Sequence, residues 1–445
     1  MNMHVDSKYF QGPVITQGGP QTFSNDFAKH LYGCGTALMR PADYGLSKTV
    51  IVIRQLFSEH VMITTRITCI LKLVTISVIT SMSLAIGSVG IVLASIAKIW
   101  RNHFTFIQPE VAPELPEDLP LDIRQNGLKI SSFNVAALPN FVNTINDMPS
   151  LENRIGKLID WISSQDGLHA IMFQELFAEE VIEQISQNPN IRRLFPYMIF
   201  GLGRQTIGLN SGLAILSRFP IKNPEFYAFN HLRKSDAFAQ KGVVRFNLDL
   251  SRNHDITLFS THLQAWDEPL SQESREKSLK AISKLEKIFS ARIRKPGHRH
   301  LGTIVGGDFN ISPYLFPSVD ELFLKEIKST LLQRKQASID SLVKYFLKSP
   351  EWQKKIVQKF FTKTHVTPPA DGTEVTLSTM QAAEEEYPIR GTFVTDPESR
   401  TIDVTEIDHF ALRLDEDLAV KKVKVEVDTS ASCSDHFPII GTFKF

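Results

Sequence analysis

Beyond residue 127, six short and mostly apolar runs each finish on polar or ionisable residues. They are Asn134 in Ser-Phe-Asn, Glu175 in Phe-Gln-Glu-Leu, His262 in Ser-Thr-His-Leu, Asp308 and Asn310 in Gly-Gly-Asp-Phe-Asn, Asp408 in Glu-Ile-Asp-His, and Asp435-His436 ahead of Phe437-Pro438. Short apolar runs bounded by turn residues read as strands, and packing alone would place neither an acid nor an imidazole there. One polar residue closing a strand is ordinary. The same placement repeated along a chain reads as an active site built where several strands finish.

Strand candidates lie at 128–134, 169–173, 211–217, 242–250, 255–261, 301–308, 388–394, 407–413 and 437–445. Between some of them the apolar period changes to that of a helix. Residues 151–165 place Ile155, Leu158, Ile159 and Ile162 on one face; residues 271–293 align Leu279, Ile282, Leu285, Phe289 and Ile293, with Ser271 as the expected N-cap. Some strands adjoin without a helix between them, so the fold class is α/β (α+β), with mixed rather than purely parallel sheets and helices outside.

Upstream, residues 73–99 carry one charge, Lys98. About 20 apolar residues span a bilayer, so 67–100 reads as a membrane-anchoring segment, single-spanning or made re-entrant at Gly87 and Gly90. Basic residues flank both ends and leave its orientation, and the side of the membrane, open. The expected organisation is therefore a region of unassigned role at 1–66, the hydrophobic segment at 67–100, a Pro-rich acidic connector at 101–124 and a catalytic domain at 125–445. The net charge of +1 supplies no basic field for nucleic acid. Three scattered cysteines, Cys34, Cys69 and Cys433, make neither a disulfide framework nor a zinc cluster.

Cleaving a phosphoester calls for a hard cation, an activated water and donors for the developing charge. Glu175 is placed to bind Mg²⁺ through oxygen, with Asn134 and Asp435 beside it. His436 is placed as a base oriented by Asp408, and His262 and Asn310 as phosphoryl ligands. Asp308 is placed to position water. Which histidine is the base stays open at this level.

Read in order, FNV, FQE, STHL, GGDFN, EIDH and SDHFP resemble the endonuclease/exonuclease/phosphatase superfamily of Mg²⁺-dependent phosphoesterases, over about residues 125–445. The resemblance implies a four-layer sandwich, two mixed sheets flanked by helices, with the site at the strand ends; Mn²⁺ or Co²⁺ would be substitutes for Mg²⁺. Asp236-Ala-Phe-Ala-Gln-Lys241-Gly242 resembles the Asp-x-x-x-x-Lys-Gly segment of membrane-associated neutral sphingomyelinases. There the Asp pairs with the Lys in one state and the Lys approaches the phosphate in another. An exposed ion pair is the plainer reading of those two residues. His409 stands where many sphingomyelinases carry Tyr, so Asp408 transfers and His409 does not. The implied substrate is a membrane phospholipid, sphingomyelin, cleaved to ceramide and phosphocholine, with anionic lipid as an activator. A nuclease or phosphatase of the same superfamily, and a non-catalytic scaffold, are the competing readings. Trp266 is an aromatic candidate for a choline headgroup, though packing is the commoner role of such a Trp.

Overall fold

The computed structural model describes residues 8–445 except 17, 58–62, 147, 204–208, 267–268, 291–297, 312–364, 367–373, 377–393, 397–400, 403–406 and 414–418. The chain opens with β1 (Phe10–Ile15), α1 (Asp26–Phe57), α2 (Ile63–Ala97), β2 (Thr105–Ile107) and α3 (Leu121–Asn126). Next come β3 (Leu128–Ala137), α4 (Asn140–Ile145), α5 (Leu151–Ser163), β4 (Ala170–Leu176), α6 (Glu179–Gln187), α7 (Pro189–Leu194), β5 (Tyr197–Phe200) and β6 (Ala214–Ser217). A second group follows: β7 (Ile221–Phe229), β8 (Gly242–Asp249), β9 (His254–His262), α8 (Pro269–Ser290) and β10 (Arg299–Asp308). The last strands are β11 (His365–Val366), β12 (Val375–Thr376), the hairpin β13 (Val394–Asp396) and β14 (Thr401–Ile402), then β15 (Asp408–Arg413), β16 (Lys422–Val427) and β17 (Ile439–Lys444).

One sheet has the order β1-β7-β8-β9-β10-β15-β11, the other β12-β16-β17-β3-β4-β6-β5-β2. The pairs β3–β4 and β9–β10 are parallel and their neighbours antiparallel, so both sheets are mixed. Side chains alternate between faces along each strand. Met172, Leu258 and Ile304 point into a core shared by the two sheets, with Ile130, Phe246 and Phe410. Phe173 points outward, beneath Leu158, Trp161 and Ile162 of α5 and Ile185 of α6. On the far side Phe259 and Val305 lie beneath Leu279, Ile282 and Leu285 of α8. The layers run helix, sheet, sheet, helix.

Several expected boundaries change. Region 1–66 is not separate: β1 pairs with β7 at the edge of the first sheet, Phe10 opposite Phe229. Likewise the 101–124 connector contains β2, the edge of the second sheet. Helix α2 runs unbroken through Gly87 and Gly90, so no re-entrant bend forms there. These glycines serve close helix contact instead, since a Cβ on Gly90 would lie 2.5 Å from the Gly35 carbonyl oxygen of α1. Ser271 lies inside α8, which begins at Pro269. Most of the expected strand 388–394 lies outside the described residues.

Gly307 decides how closely β9 and β10 approach beside the site. Its φ is +150° and a Cβ there would sit 1.9 Å from the Thr261 carbonyl oxygen. Gly307→Ala is expected to cost about 2–4 kcal/mol through overpacking and backbone strain, read as a lower urea midpoint.

Candidate active site

The parallel pairs β3–β4 and β9–β10 bring Asn134, Glu175, His262 and Asp308 to strand ends, and the two sheets meet there. Asn134 Nδ2 donates to Asp308 Oδ2 at 3.0 Å from one sheet to the other. The Asn310 backbone N–H donates to the other Asp308 oxygen at 2.8 Å. His262 Nε2 lies 3.4 Å from Asp308 Oδ2 and 3.8 Å from Glu175 Oε1. The His436 Nδ1–H donates to Asp408 Oδ2 at 2.7 Å, both groups being buried. Asp408 opposes Asp308 directly in the β15–β10 ladder. All six motifs therefore meet in one place.

The Asp236–Lys241 segment joins them, and its ion pair is not a surface one. Lys241 Nζ lies 2.9 Å from Asp236 Oδ2, and both residues are buried. The same ammonium donates to His262 Nε2 at 2.9 Å and to the Leu263 carbonyl at 3.0 Å. An ammonium has no acceptor, so His262 Nε2 is the accepting nitrogen and the ring proton sits on Nδ1. Burial, then the charges of Lys241 and His436, hold that imidazole well below its ordinary range, which keeps it neutral.

The carboxylates crowd each other. Burial pushes the Glu175 carboxyl up to about 7; Asp435 and Asp308 add to this while Lys241 and His436 oppose it. Burial and then Asp408 raise Asp308 to about 6. Burial pulls His436 down, but the charge and hydrogen bond of Asp408, with Asp435 and Asp308 behind it, hold it well above its ordinary value. Glu175 also sits at φ +56°, a left-handed conformation disfavoured outside glycine. Strain of this kind is found where a site needs a side chain aimed in one direction.

These residues fit a divalent cation. Asp308, Asp408 and His436 offer donor atoms within 4.8 Å of one another. Among the described residues Asp408 Oδ1 is buried with no hydrogen-bond partner. Crowded acids with raised affinity for protons are short of positive charge, and oxygen donors suit Mg²⁺ or Mn²⁺. Glu175 and Asp435 form the open side of this cluster, each being partly exposed. Asn134 Oδ1 accepts the Ala136 N–H at 3.1 Å while its amide holds Asp308, which leaves one lone pair of that oxygen for a cation. Asn310 likewise spends its side-chain amide on the Leu263 carbonyl, at 3.3 Å. His409 Nε2–H donates to the Ile311 carbonyl at 2.7 Å, a structural contact.

Three further residues build the site. The Ser434 hydroxyl lies 2.7 Å from the Asn134 carbonyl and 3.2 Å from Asp435 Oδ1, tying the last motif to the first. Arg154 of α5 is buried and donates to the carbonyls of Val135, Ala136, Pro149 and Cys433. Arg275 of α8 is buried and donates to Gln264 and Trp266. Each arginine braces the backbone just past a candidate site residue, Asn134 in one sheet and His262 in the other. A buried arginine on an amphipathic helix has no sequence signal that separates it from a surface charge.

No family model matches the chain. It is 34% identical over 128 residues to an uncharacterized protein of Dictyostelium discoideum, 27% of this chain and 11% of that protein. The chain thus spans about a tenth of the length of the curated relative it matches. Among solved structures it is similar to sphingomyelinase C from Streptomyces griseocarneus, at 14% identity over 72% of this chain and 99% of that one, with a TM-score of 0.48. Beta toxin from Staphylococcus aureus, in a mutant with bound magnesium ions, is 17% identical over 71% and 99% of the two chains, TM-score 0.47. An endonuclease/exonuclease/phosphatase from Beutenbergia cavernae is 14% identical over 72% and 71%, TM-score 0.37.

Proposed function

We propose that the protein is a Mg²⁺-dependent phosphodiesterase of the phospholipase C type acting on a membrane phospholipid, with sphingomyelin the substrate that its residues favour. The observation that carries this reading is the meeting, in one buried site, of a His436–Asp408 pair, a Lys241–His262 cation–imidazole contact and carboxylates short of positive charge. That set holds a base, donors for a phosphoryl oxygen and a seat for a hard cation.

Glu175 and Asp435 would hold the ion, with Asp308 and Asp408 deeper in the cluster. When bound it supplies charge neutralisation on the phosphoryl oxygens and an acidified water. In the neutral form of its ring, His436 Nε2 takes the proton of the attacking water, its other nitrogen being held by Asp408. Asp308, fixed from both sides by Asn134 and the Asn310 N–H, orients that water. Lys241, held in place by His262, binds the phosphoryl group, and the leaving alkoxide takes its proton from water. Phosphocholine and ceramide are the products.

The lipid part of the reading draws on exposed apolar surface. Helix α2 is long and apolar enough to cross a membrane and is 22% buried over its most apolar stretch. Trp266, shortly after His262, and Phe238, at the end of a short 3-10 helix just before Lys241, stand exposed. Lys234 Nζ lies 5.1 Å from the Trp266 ring centroid, so this ring already receives a cation, as a choline site would require.

Release of phosphocholine from sphingomyelin vesicles, with and without Mg²⁺ and beside a plasmid-nicking assay, tests the proposal. Nicking without phosphocholine release would turn the reading to a nuclease. Asp236→Asn leaves Lys241 buried without its carboxylate, and is expected to cost about 3 kcal/mol. Lys241→Met is expected to lower turnover by about 10²-fold through loss of the phosphoryl clamp. Urea titration and initial rates read the two effects separately.

A further inference from the structure

We infer that α1 and α2 form a docking surface for the bilayer interface on which α2 lies in the membrane plane, rather than crossing it, and that this surface holds the mouth of the active site against the lipid. The inference rests on the membrane reading above and gives it an orientation.

The helix pair is packed inside out for water. The residues of α2 that are buried from Thr80 onward are Thr80, Ser83, Gly87, Gly90, Ala94 and Ala97, all small, and they face α1 at Gly35, Ala42 and Gly45. The large apolar residues point outward instead: Leu71 is 65% exposed, Val78 58% and Met82 68%. A water-soluble helix pair would reverse this arrangement, whereas helices in lipid bring small residues together and leave large ones to the acyl chains. The exposed hydroxyls agree. Thr75 donates to the Leu71 carbonyl, Ser81 to Ser77 and Ser88 to Ala85, so none of them depends on water. No acidic residue occurs in α2, while Arg66, Lys72 and Lys98 are basic, which suits anionic headgroups.

Attachment to the catalytic sandwich sets the orientation. Past the C-terminal end of α2, Arg101 pairs with Glu179 at the start of α6, directly after the strand bearing Glu175. Toward the other end, α1 is fixed to α4, which follows the strand bearing Asn134. Asp43 Oδ1 accepts the Phe141 N–H at 2.9 Å and Arg54 Nη2 donates to the Ile145 carbonyl at 2.8 Å. Helix α2 therefore runs alongside the domain with α1 as an adapter, instead of projecting from it. Its 35 residues extend about 52 Å at about 1.5 Å each. Standing it upright across about 30 Å of hydrocarbon would carry Arg40, Asp43 and Lys48 of α1 in with it, at high cost.

The test uses the full chain in a Cys34→Ser background, Cys69 and Cys433 being buried. Leu71→Cys, Met82→Cys, Val89→Cys and Ile96→Cys place an environment-sensitive fluorophore along one face. Quenching by lipids labelled at known depths is read in phosphatidylcholine vesicles containing a minority of phosphatidylserine. Equal, shallow depths at all four positions are expected. A depth profile deepest at Met82 and Val89 would overturn the in-plane orientation in favour of crossing, and no quenching anywhere would overturn membrane docking itself. Val78→Glu with Met82→Glu is expected to lower vesicle binding and vesicle turnover at least about tenfold, while turnover of sphingomyelin in detergent micelles stays unchanged. Unchanged vesicle turnover in that variant would also overturn the inference. Loss of micelle turnover in the parent protein would instead count against the substrate assignment, so the two failures are distinguishable.

Discussion

His436→Ala is expected to lower turnover by about 10²–10⁴-fold, the range spanned by loss of a positioned base. The imidazole is buried and held by Asp408 at 2.7 Å, which leaves Nε2 as its working nitrogen. Removing the ring also strands Asp408, so His436→Gln, which keeps a donor near that carboxylate, serves as the folding control. Both variants should retain near-ultraviolet dichroism while losing rate. A rate within tenfold of the parent in either would assign the base elsewhere, with His262 the other imidazole at hand. The pair also makes a pH statement. His436 is held above its ordinary value, so its contribution to stability is present below about 6.5 and is lost as pH rises through the folded value. Glu175 acts with the same sign: at about 7 when folded against 4.5, it binds more protons in the fold, so stability falls as pH rises between these values. That group alone amounts to about 3 kcal/mol. The metal-free protein should therefore melt at lower temperature at pH 8 than at pH 5.5, and Mg²⁺ should raise the pH 8 value most.

Chelation, or Glu175→Gln, is expected to remove turnover almost as fully, by about 10²–10³-fold. Glu175 is the partly open carboxyl of the cluster, at a strained φ of +56°. Its proton must leave before a cation can bind, so apparent Mg²⁺ affinity should fall about tenfold per pH unit below about 7. In Glu175→Gln that slope should flatten, because the titrating group is gone. Calorimetric titration of Mg²⁺ between pH 5.5 and 8 checks this without any turnover measurement. A parent affinity independent of pH would remove Glu175 from the metal seat.

Most strands and the helices α5 and α8 could be read in the sequence because the strands are buried on both faces and the helices on one, whereas the four layers were implied only by the resemblance. The runs ending at Asn134, Glu175, His262 and Asp308 are short, mostly apolar stretches, and α5 and α8 carry clear stripes. The two outer strands were hidden for the opposite reason. Strand β2 is three residues long and β1 is interrupted by Gly12 and Pro13, so neither has a run long enough to register. Helix α1 was obscured by Pro41 and by glycines whose purpose appears only when α2 lies against them. Within the site, residue types announced the chemistry but not the division of labour. Asn134 and Asn310 read as ligands, but that the first also holds Asp308 and the second holds Leu263 was not legible. The depth of the Asp236–Lys241 pair also had no local signature, because only folding brings His262 beside Lys241.

The placement of β1 and β2 has a consequence for how such a protein can be released or shortened. The helix pair is not appended ahead of the catalytic fold but inserted within it, between an edge strand of one sheet and an edge strand of the other. Cutting the chain after α2 would strip β1 from β7 and bare a run of unpaired backbone amides beside Phe229. A soluble form made by trimming should self-associate through that edge. One made by replacing α2 with a polar helix, leaving both strands in place, should not.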